Sequence, residues 1–315
     1  MRLPGPGLLR SLLAGLVLAV CAFARPASAE SFYVEGEGGV PIAVTTAGPE
    51  DAPAILFLHG IGMAAESFET QLTSSLADRF HLIAIDLRGH GMSGKPSDAS
   101  AYTDTRVWAG DVERVIEATG VRRPVIVAWS YGTLVAADYI RHVGTGNLGG
   151  LVMVGATGGL VPFVPASSPG DADVMADLTR ARELRRIPSF SAQEEAVGIV
   201  APMLTHCPPD TEWSRKVLVL GMLVPPYVQG PLREHPIANG DLLKAMQDLP
   251  VIVAYGAHDG SVTAATVEAV LAGLPHATAQ RFENAGHAPF AEAPDRFNEM
   301  LANFVIQSIR EDHDP

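Results

Sequence analysis

Val125-Ile-Val-Ala-Trp-Ser-Tyr-Gly-Thr-Leu-Val-Ala-Ala-Asp-Tyr-Ile140 decides how the rest of this 315-residue chain is read. Five apolar residues, Val125 to Trp129, run up to Ser130 in Ala128-Trp129-Ser130-Tyr131-Gly132, and the segment leaves at once with apolar residues at helical spacing. A buried strand that turns sharply into a helix holds the residue at the turn in a strained conformation and presents its side chain beyond the strand end. The two arms of such a turn approach closely, so the positions two before and two after must be small. Ala128 and Gly132 meet that need, Ala128 adding one methyl to the more usual glycine. Ser130, at the apex, is the candidate nucleophile.

A serine hydroxyl is a weak nucleophile at neutral pH and needs a histidine base oriented by a carboxylate. After a turn of this kind the expected chain order is Ser, acid, His. Tyr255-Gly-Ala-His-Asp259-Gly follows one apolar strand pattern, and Asn284-Ala-Gly-His287-Ala-Pro-Phe follows another, Thr278 to Phe282. Both loops fall at strand C-termini, the edge toward which the turn points. Taken singly, Asp259 could cap a turn and His287 could be a surface histidine; in this order and at this edge, with Ser130, they form a candidate triad. The tetrahedral intermediate also needs donors for its developing charge. The Tyr131 N–H is one candidate, and the Ile61 N–H in His59-Gly60-Ile61-Gly62 is the other, with His59 bracing that loop.

Outward from this segment, short apolar runs alternate with helical patterns. Ala54 to Leu58, His81 to Ile85, Pro124 to Ala128, Leu151 to Val154 and Val251 to Tyr255 read as strands buried on both faces. Phe68 to Arg79, Val107 to Thr119 and Thr133 to His142 read as the helices between them. Ser31 to Glu35 and Ile42 to Ala47, around Gly36-Glu37-Gly38-Gly39, read as an antiparallel hairpin at the sheet edge. The expected class is α/β with a mostly parallel sheet. Alternation stops after Gly155 and resumes near Pro250. Helical patterns fill the gap: after Ser168-Pro169, from the capping box Ser191-Ala-Gln-Glu194, from Asp210 to Leu223, and from Asp241 to Leu249. The expected division is a core of residues 30–157 and 249–315 with a helical cap, 158–248, over the C-terminal edge of the sheet. Trp129, Met222 and Tyr227 are candidate pocket residues.

Met1 to Arg10 carries arginine and no acid, Ser11 to Phe23 is almost wholly apolar, and Ala27-Ser28-Ala29 offers small residues for cleavage after Ala29. Residues 1–29 are expected to be a signal peptide and the mature protein periplasmic or secreted. The apolar stretch is short for a membrane span of about 20 residues. Leu18-Ala19-Val20-Cys21 resembles a lipoprotein site, but Val20 stands where a small residue is usual, so anchoring at Cys21 is not expected. That leaves Cys207 without a disulfide partner, and the adjacent His206 is poorly placed to activate it. A net charge of −13, from 35 acidic and 22 basic residues, speaks against nucleic-acid binding. His90, His142, His206, His235, His258 and His276 lack ligand spacing, so no metal and no cofactor is expected, and the partner expected is a small molecule.

With these motifs in view, the chain resembles the α/β-hydrolase superfamily, of the cap-bearing kind that includes bacterial esterases, lactonases and cofactor-free perhydrolases. The resemblance rests on His59-Gly60, Asp86-Leu-Arg-Gly-His-Gly-Met-Ser93, Ala128-Trp-Ser-Tyr-Gly132, Gly256-Ala-His-Asp259 and Gly286-His287 with Pro289. It implies that Asp86 to Ser93 shapes a loop rather than cradling a phosphate. Serine at 130, where dehalogenases and epoxide hydrolases of that superfamily use Asp, implies acyl transfer. The expected activity is hydrolysis of a small, mainly apolar carboxylic ester or lactone through an acyl-enzyme. C–C bond hydrolysis of a diketone-type substrate, perhydrolysis and a non-catalytic binding role are the alternatives.

Overall fold

The structure, a computed structural model, describes residues 29–164 and 171–311. The expected signal peptide through Ser28, and Cys21 with it, lies outside the described residues. Eight strands, β1 (Glu30–Glu35), β2 (Pro41–Ala47), β3 (Ala54–Leu58), β4 (His81–Ile85), β5 (Val125–Trp129), β6 (Gly150–Val154), β7 (Val251–Gly256) and β8 (Thr278–Phe282), form one sheet. Their order is β1-β2-β4-β3-β5-β6-β7-β8. The β1–β2 and β2–β4 pairs are antiparallel and every other pair is parallel. This is the α/β-hydrolase fold. Every residue of β3 to β7 is buried, as continuous apolar runs require when helices cover both faces.

Register sets the site. Leu58 stands opposite both Ile85 and Ala128, and Trp129 opposite Val154, so β3, β4, β5 and β6 end level and their following loops share one edge. Successive side chains alternate between the faces. Leu56, Leu58, Ile126 and Val253 join one core cluster, while Ile55, Phe57, Val127, Trp129 and Ala254 join the other.

The helices, in chain order, are α1 (Glu69–Leu72), α2 (Ser100–Thr103), α3 (Thr105–Thr119), α4 (Gly132–His142), α5 (Asp171–Leu184), α6 (Phe190–Val200), α7 (Thr211–Met222), α8 (Pro226–Leu232), α9 (Ala264–Gly273), α10 (Pro289–Glu292) and α11 (Pro294–Glu311). Elements α5 to α8 lie between β6 and β7. Their buried side chains do not form a core of their own. Val228 and Leu232 belong to the first sheet cluster, and Val197, Val217 and Leu220 to the second. Among the described residues, no helix is long and apolar enough to cross a membrane.

Three expected helices differ. Phe68 to Arg79 is not continuous: α1 is one turn between the 3-10 turns Ala65–Phe68 and Ser75–Asp78. Thr73 Oγ1 donates to the Glu69 carbonyl and Ser74 Oγ to that of Gln71, and hydroxyls that take backbone acceptors in this way close a helix early. The capping box at Ser191 does not form, because α6 already starts at Phe190 and the Ser191 hydroxyl is hydrogen-bonded to that of Ser189. Asp241 to Leu249 holds only a 3-10 turn, Gly240–Lys244, where the Asp241 carboxylate pairs with Arg141 at 2.6 Å instead of extending a helix. By contrast Asp210 caps α7, accepting from the Trp213 N–H at 2.7 Å. The pattern after Ser168-Pro169 begins outside the described residues; its remainder is α5.

Candidate active site

Ser130 sits between the end of β5 and the start of α4 with φ = 52°, one of two positive-φ non-glycine residues among those described. Such a conformation costs on the order of 1–3 kcal/mol and persists only where its surroundings over-determine it. Here the Ser130 N–H donates to the Val154 carbonyl at 2.9 Å, and the Ser130 carbonyl accepts from the Thr133 N–H at 3.0 Å and the Thr133 hydroxyl at 2.6 Å. The turn needs glycine at 132, because a Cβ there would lie 2.3 Å from the Leu58 carbonyl oxygen.

Asp259 and His287, 28 residues apart in sequence, meet at this edge. His287 Nδ1 lies 3.0 Å from Asp259 Oδ2 and 3.1 Å from Oδ1, and both side chains are buried. With Nδ1–H donating to the carboxylate, Nε2 is left as an acceptor. Asp259 Oδ1 also accepts from the Ser261 N–H at 2.7 Å, which fixes the carboxylate. Burial pulls the His287 pKa down, but the charge and hydrogen bond of Asp259, and then the charge of Glu292, outweigh it, so the pKa stands above the ordinary 6.5.

The histidine loop is held from three sides. Trp129 Nε1–H donates to the His287 carbonyl at 2.8 Å. Glu292 accepts from the N–H groups of Gly286, His206 and Cys207 at 2.7, 2.7 and 2.9 Å. Gly155, at φ = 62°, lies so close that a Cβ there would be 2.8 Å from His287 Nδ1. The sequence reading did not pick out Glu292; a lone acid one helical turn past His287 carries no signal of the three amides it collects.

Of the two expected oxyanion donors, Tyr131 directly follows Ser130, and Ile61 follows Gly60, where an added Cβ would lie 3.1 Å from Ser130 Cβ. Among the described residues neither the Ile61 nor the Tyr131 N–H has a hydrogen-bond acceptor, and both residues line the same cavity as Ser130. His59 explains the orientation of the first. Its Nδ1–H donates to the Gly60 carbonyl at 2.7 Å while Nε2 accepts from the Leu87 N–H at 2.9 Å. In a trans peptide the carbonyl and the following N–H point oppositely, so fixing the Gly60 carbonyl aims the Ile61 N–H the other way. Burial lowers the His59 pKa to about 4, so the ring is a neutral brace at physiological pH.

The cavity has a volume of about 1050 Å³. The sheet-edge side contributes Ile61, Ser130, Tyr131, Thr133 and Leu134; the segment after β6 contributes Leu160, Val161, Phe163, Arg182, Arg186, Leu232, Arg233, His235 and Ile237. None of the three expected pocket residues lines it. Trp129 is fully buried beneath the site, packed against Phe290 with ring centroids 4.9 Å apart. Met222 packs on the second core cluster. Tyr227 is 51% exposed, its hydroxyl donating to the Lys95 carbonyl at 2.9 Å. Consecutive residues of a tight turn diverge, so Tyr131 faces the cavity and Trp129 faces away from it. The sequence carried no signal for the arginines: Arg182 lies in the last turn of α5, Arg186 in the turn that follows it and Arg233 at the end of α8, so no helical spacing joins them.

Asp86 serves its loop, its carboxylate accepting from the Ala65 and Met92 N–H groups at 2.7 Å each. Cys207 is exposed and unpaired, and the His206 ring stacks on that of His258 with centroids 3.6 Å apart. No cluster of three or more potential metal ligands occurs among the described residues.

The chain is similar to several known proteins. The chain is 28% identical to an esterase from Rhodococcus sp. ECU1013, with a TM-score of 0.76 over 87% of this chain and 98% of that one. It is 26% identical to a non-heme chloroperoxidase of Streptomyces lividans over 82% of this chain and 93% of that protein. It is also 33% identical to the bifunctional esterase/perhydrolase of Acinetobacter calcoaceticus, over 39% of this chain and 44% of that one. The sequence model of the Alpha/beta hydrolase family matches residues 55–300, and the chain belongs to that family.

Proposed function

We propose that the protein is a serine hydrolase that cleaves a carboxylic ester through an acyl-enzyme on Ser130. The observation that carries this reading is the buried His287–Asp259 pair, 3.0 Å apart, at the sheet edge where Ser130 is held at positive φ. His287 Nε2 takes the Ser130 proton as Oγ attacks the ester carbonyl carbon. The intermediate's oxyanion lies against the Ile61 and Tyr131 N–H groups, whose donors are already oriented and free. Collapse expels the alcohol, which leaves with the proton from His287. A water then gives its proton to His287, attacks the acyl carbon and releases the acid. Asp259 holds the imidazole in the required tautomer and stabilises its charged form.

The segment 158–248 acts as the cap, since its residues supply the far wall of the cavity. A lactone fits the same steps. Perhydrolysis is a second reading, supported by the relatives named as a perhydrolase and a chloroperoxidase: hydrogen peroxide, in place of water, would attack the acyl-enzyme and leave a peracid. Hydrolysis of p-nitrophenyl acetate and butyrate, with and without peroxide, separates the two. Absence of both activities in pure protein would contradict the proposal. Export belongs to the proposal too, and N-terminal sequencing after expression from the full reading frame in a Gram-negative host is expected to find Glu30. A start at Met1 or a lipidated Cys21 would overturn it.

A further inference from the structure

The far wall of the cavity carries a concentration of positive charge that an esterase for simple apolar esters does not need. Arg182, Arg186 and Arg233 all line the space that Ser130 faces. All three are exposed at the cavity rim, and among the described residues none of their guanidinium groups has a carboxylate or other hydrogen-bond partner, in a chain with 35 acids against 22 Lys and Arg. The adjacent acids Glu183 and Glu234 do not line the cavity. Elsewhere several arginines are paired, Arg88 with Asp111, Arg141 with Asp241 and Arg180 with Glu195, while Arg185 and Arg296 donate to backbone carbonyls. Unpaired guanidinium groups gathered at one place repel one another. The Arg233 pKa is accordingly lowered, first by the protein packed around it and then by Arg182 and Arg186, although its side chain still opens on the cavity.

A second, independent feature lies beside them. Tyr131 is 8% exposed and lines the cavity, yet its buried hydroxyl has no hydrogen-bond partner. Its ring packs edge-on against His235, centroids 5.5 Å apart, and His235 is itself held by Asp138 at 2.6 Å. Leu134, Leu160 and Leu232 add apolar wall to the same cavity. A cavity lined by a candidate nucleophilic hydroxyl, apolar side chains and unmatched guanidinium groups suits a substrate that carries both apolar and anionic parts. A forked guanidinium matches the two oxygens of a carboxylate or phosphate.

We propose that the substrate is an ester bearing a separate anionic oxyacid group, a carboxylate or phosphate, that Arg182, Arg186 and Arg233 bind while the ester carbonyl lies at Ser130. This rests on the hydrolase reading above and narrows it. The mainly apolar ester expected from sequence would leave the three guanidinium groups without a partner.

The test compares matched esters that differ in one charge. On the acyl side the pair is phenyl hydrogen adipate and the phenyl ester of adipic monoamide; on the alcohol side it is 5-carboxypentyl benzoate and the corresponding amide. In a further arm a phosphonate replaces each carboxylate, and the better anion tells a carboxylate substrate from a phosphate one. In at least one pair the anionic ester is expected to have the higher kcat/KM, on the order of tenfold, mostly through KM. That preference should shrink with added salt in the unaltered enzyme. In the triple variant Arg182→Gln, Arg186→Gln, Arg233→Gln the ratio should fall to about one, and Arg233→Lys should keep part of it. Equal turnover of both members of every pair, or a triple variant with an unchanged ratio, would overturn the proposal. Calorimetric titration of Ser130→Ala protein with adipic monoamide anion and with adipamide reads the anion site without turnover. Binding of the anion alone, lost in the triple variant, supports the site even if no ester is cleaved, which would instead overturn the hydrolase reading. Equal or no binding of the two, together with equal turnover, overturns the anion site.

Discussion

The two walls of the cavity are built by different physics. The near wall, with Ile61, Ser130 and Tyr131, stands on the ends of β3 and β5, where each strand is buried from end to end and the register leaves little freedom. The far wall, with Arg182, Arg186 and Arg233, stands on helix ends and turns: the first two on α5 and the turn after it, which pack on α6, and the third at the end of α8, whose Val228 and Leu232 join the first sheet cluster. Backbone geometry therefore dominates the first wall and side-chain chemistry the second. The near wall is suited to fix what reaction occurs, and the far wall which molecule undergoes it.

Changes on the near wall should act on kcat. Ser130→Ala removes the proposed nucleophile, and the expected loss of p-nitrophenyl butyrate turnover is on the order of 10⁶ in kcat. Asp259→Asn leaves the ring in place but favours the wrong tautomer, with an expected loss of about 10⁴. It should also move the acid limb of the pH–rate profile. Because Asp259 and Glu292 hold the His287 pKa above 6.5, kcat/KM of the unaltered enzyme should fall as pH drops through a value above 6.5, where the base becomes protonated. The stability term has the opposite sign: a raised folded pKa stabilises the protein at pH values below 6.5, and this contribution is lost as pH rises through the folded value. Activity and this part of stability therefore run in opposite directions over one window, and an acid limb below 6.5 in the unaltered enzyme would break the account.

Gly155→Ala tests placement rather than chemistry. It puts a methyl 2.8 Å from His287 Nδ1 at φ = 62°, so the ring must shift; misplacement of this size is expected to cost on the order of 10²-fold in kcat. An unchanged kcat in folded Gly155→Ala protein would mean the loop gives way without harm. The smallest effect is expected at Tyr227. Tyr227→Phe loses one partly exposed hydrogen bond outside the cavity and should alter kcat/KM by less than about twofold. A larger change in substrate preference would place Tyr227 on the substrate's route after all.

The same contrast explains what the sequence could convey. β3 to β7 were legible because double-sided burial leaves an unbroken apolar run, and the Ser130 turn because its strand, small residues and helix are contiguous. Asp259 and His287 were legible through their strand-end positions. Sequence places Trp129 beside Ser130 but does not convey which way it points; its indole bonds the His287 carbonyl, 158 positions away. Tyr227 and Met222 lie outside the cavity lining for a related reason: whether an apolar side chain on the inserted helices faces substrate or core depends on how each helix docks. The broken helix at Phe68 to Arg79 turned on local competition by Thr73 and Ser74, which periodicity does not register. Glu292 collects amides from two loops that are adjacent only in space.

The central claim is that Ser130, with His287 and Asp259, forms a covalent acyl-enzyme. Intact mass spectrometry of the protein after reaction with an alkyl fluorophosphonate, followed by peptide mapping, tests it directly. One adduct is predicted per chain, with fluoride as the leaving group, located on Ser130, absent from Ser130→Ala and formed far more slowly in Asp259→Asn. An adduct on any other residue, or an unmodified Ser130 in folded protein that still hydrolyses p-nitrophenyl butyrate, would contradict the account.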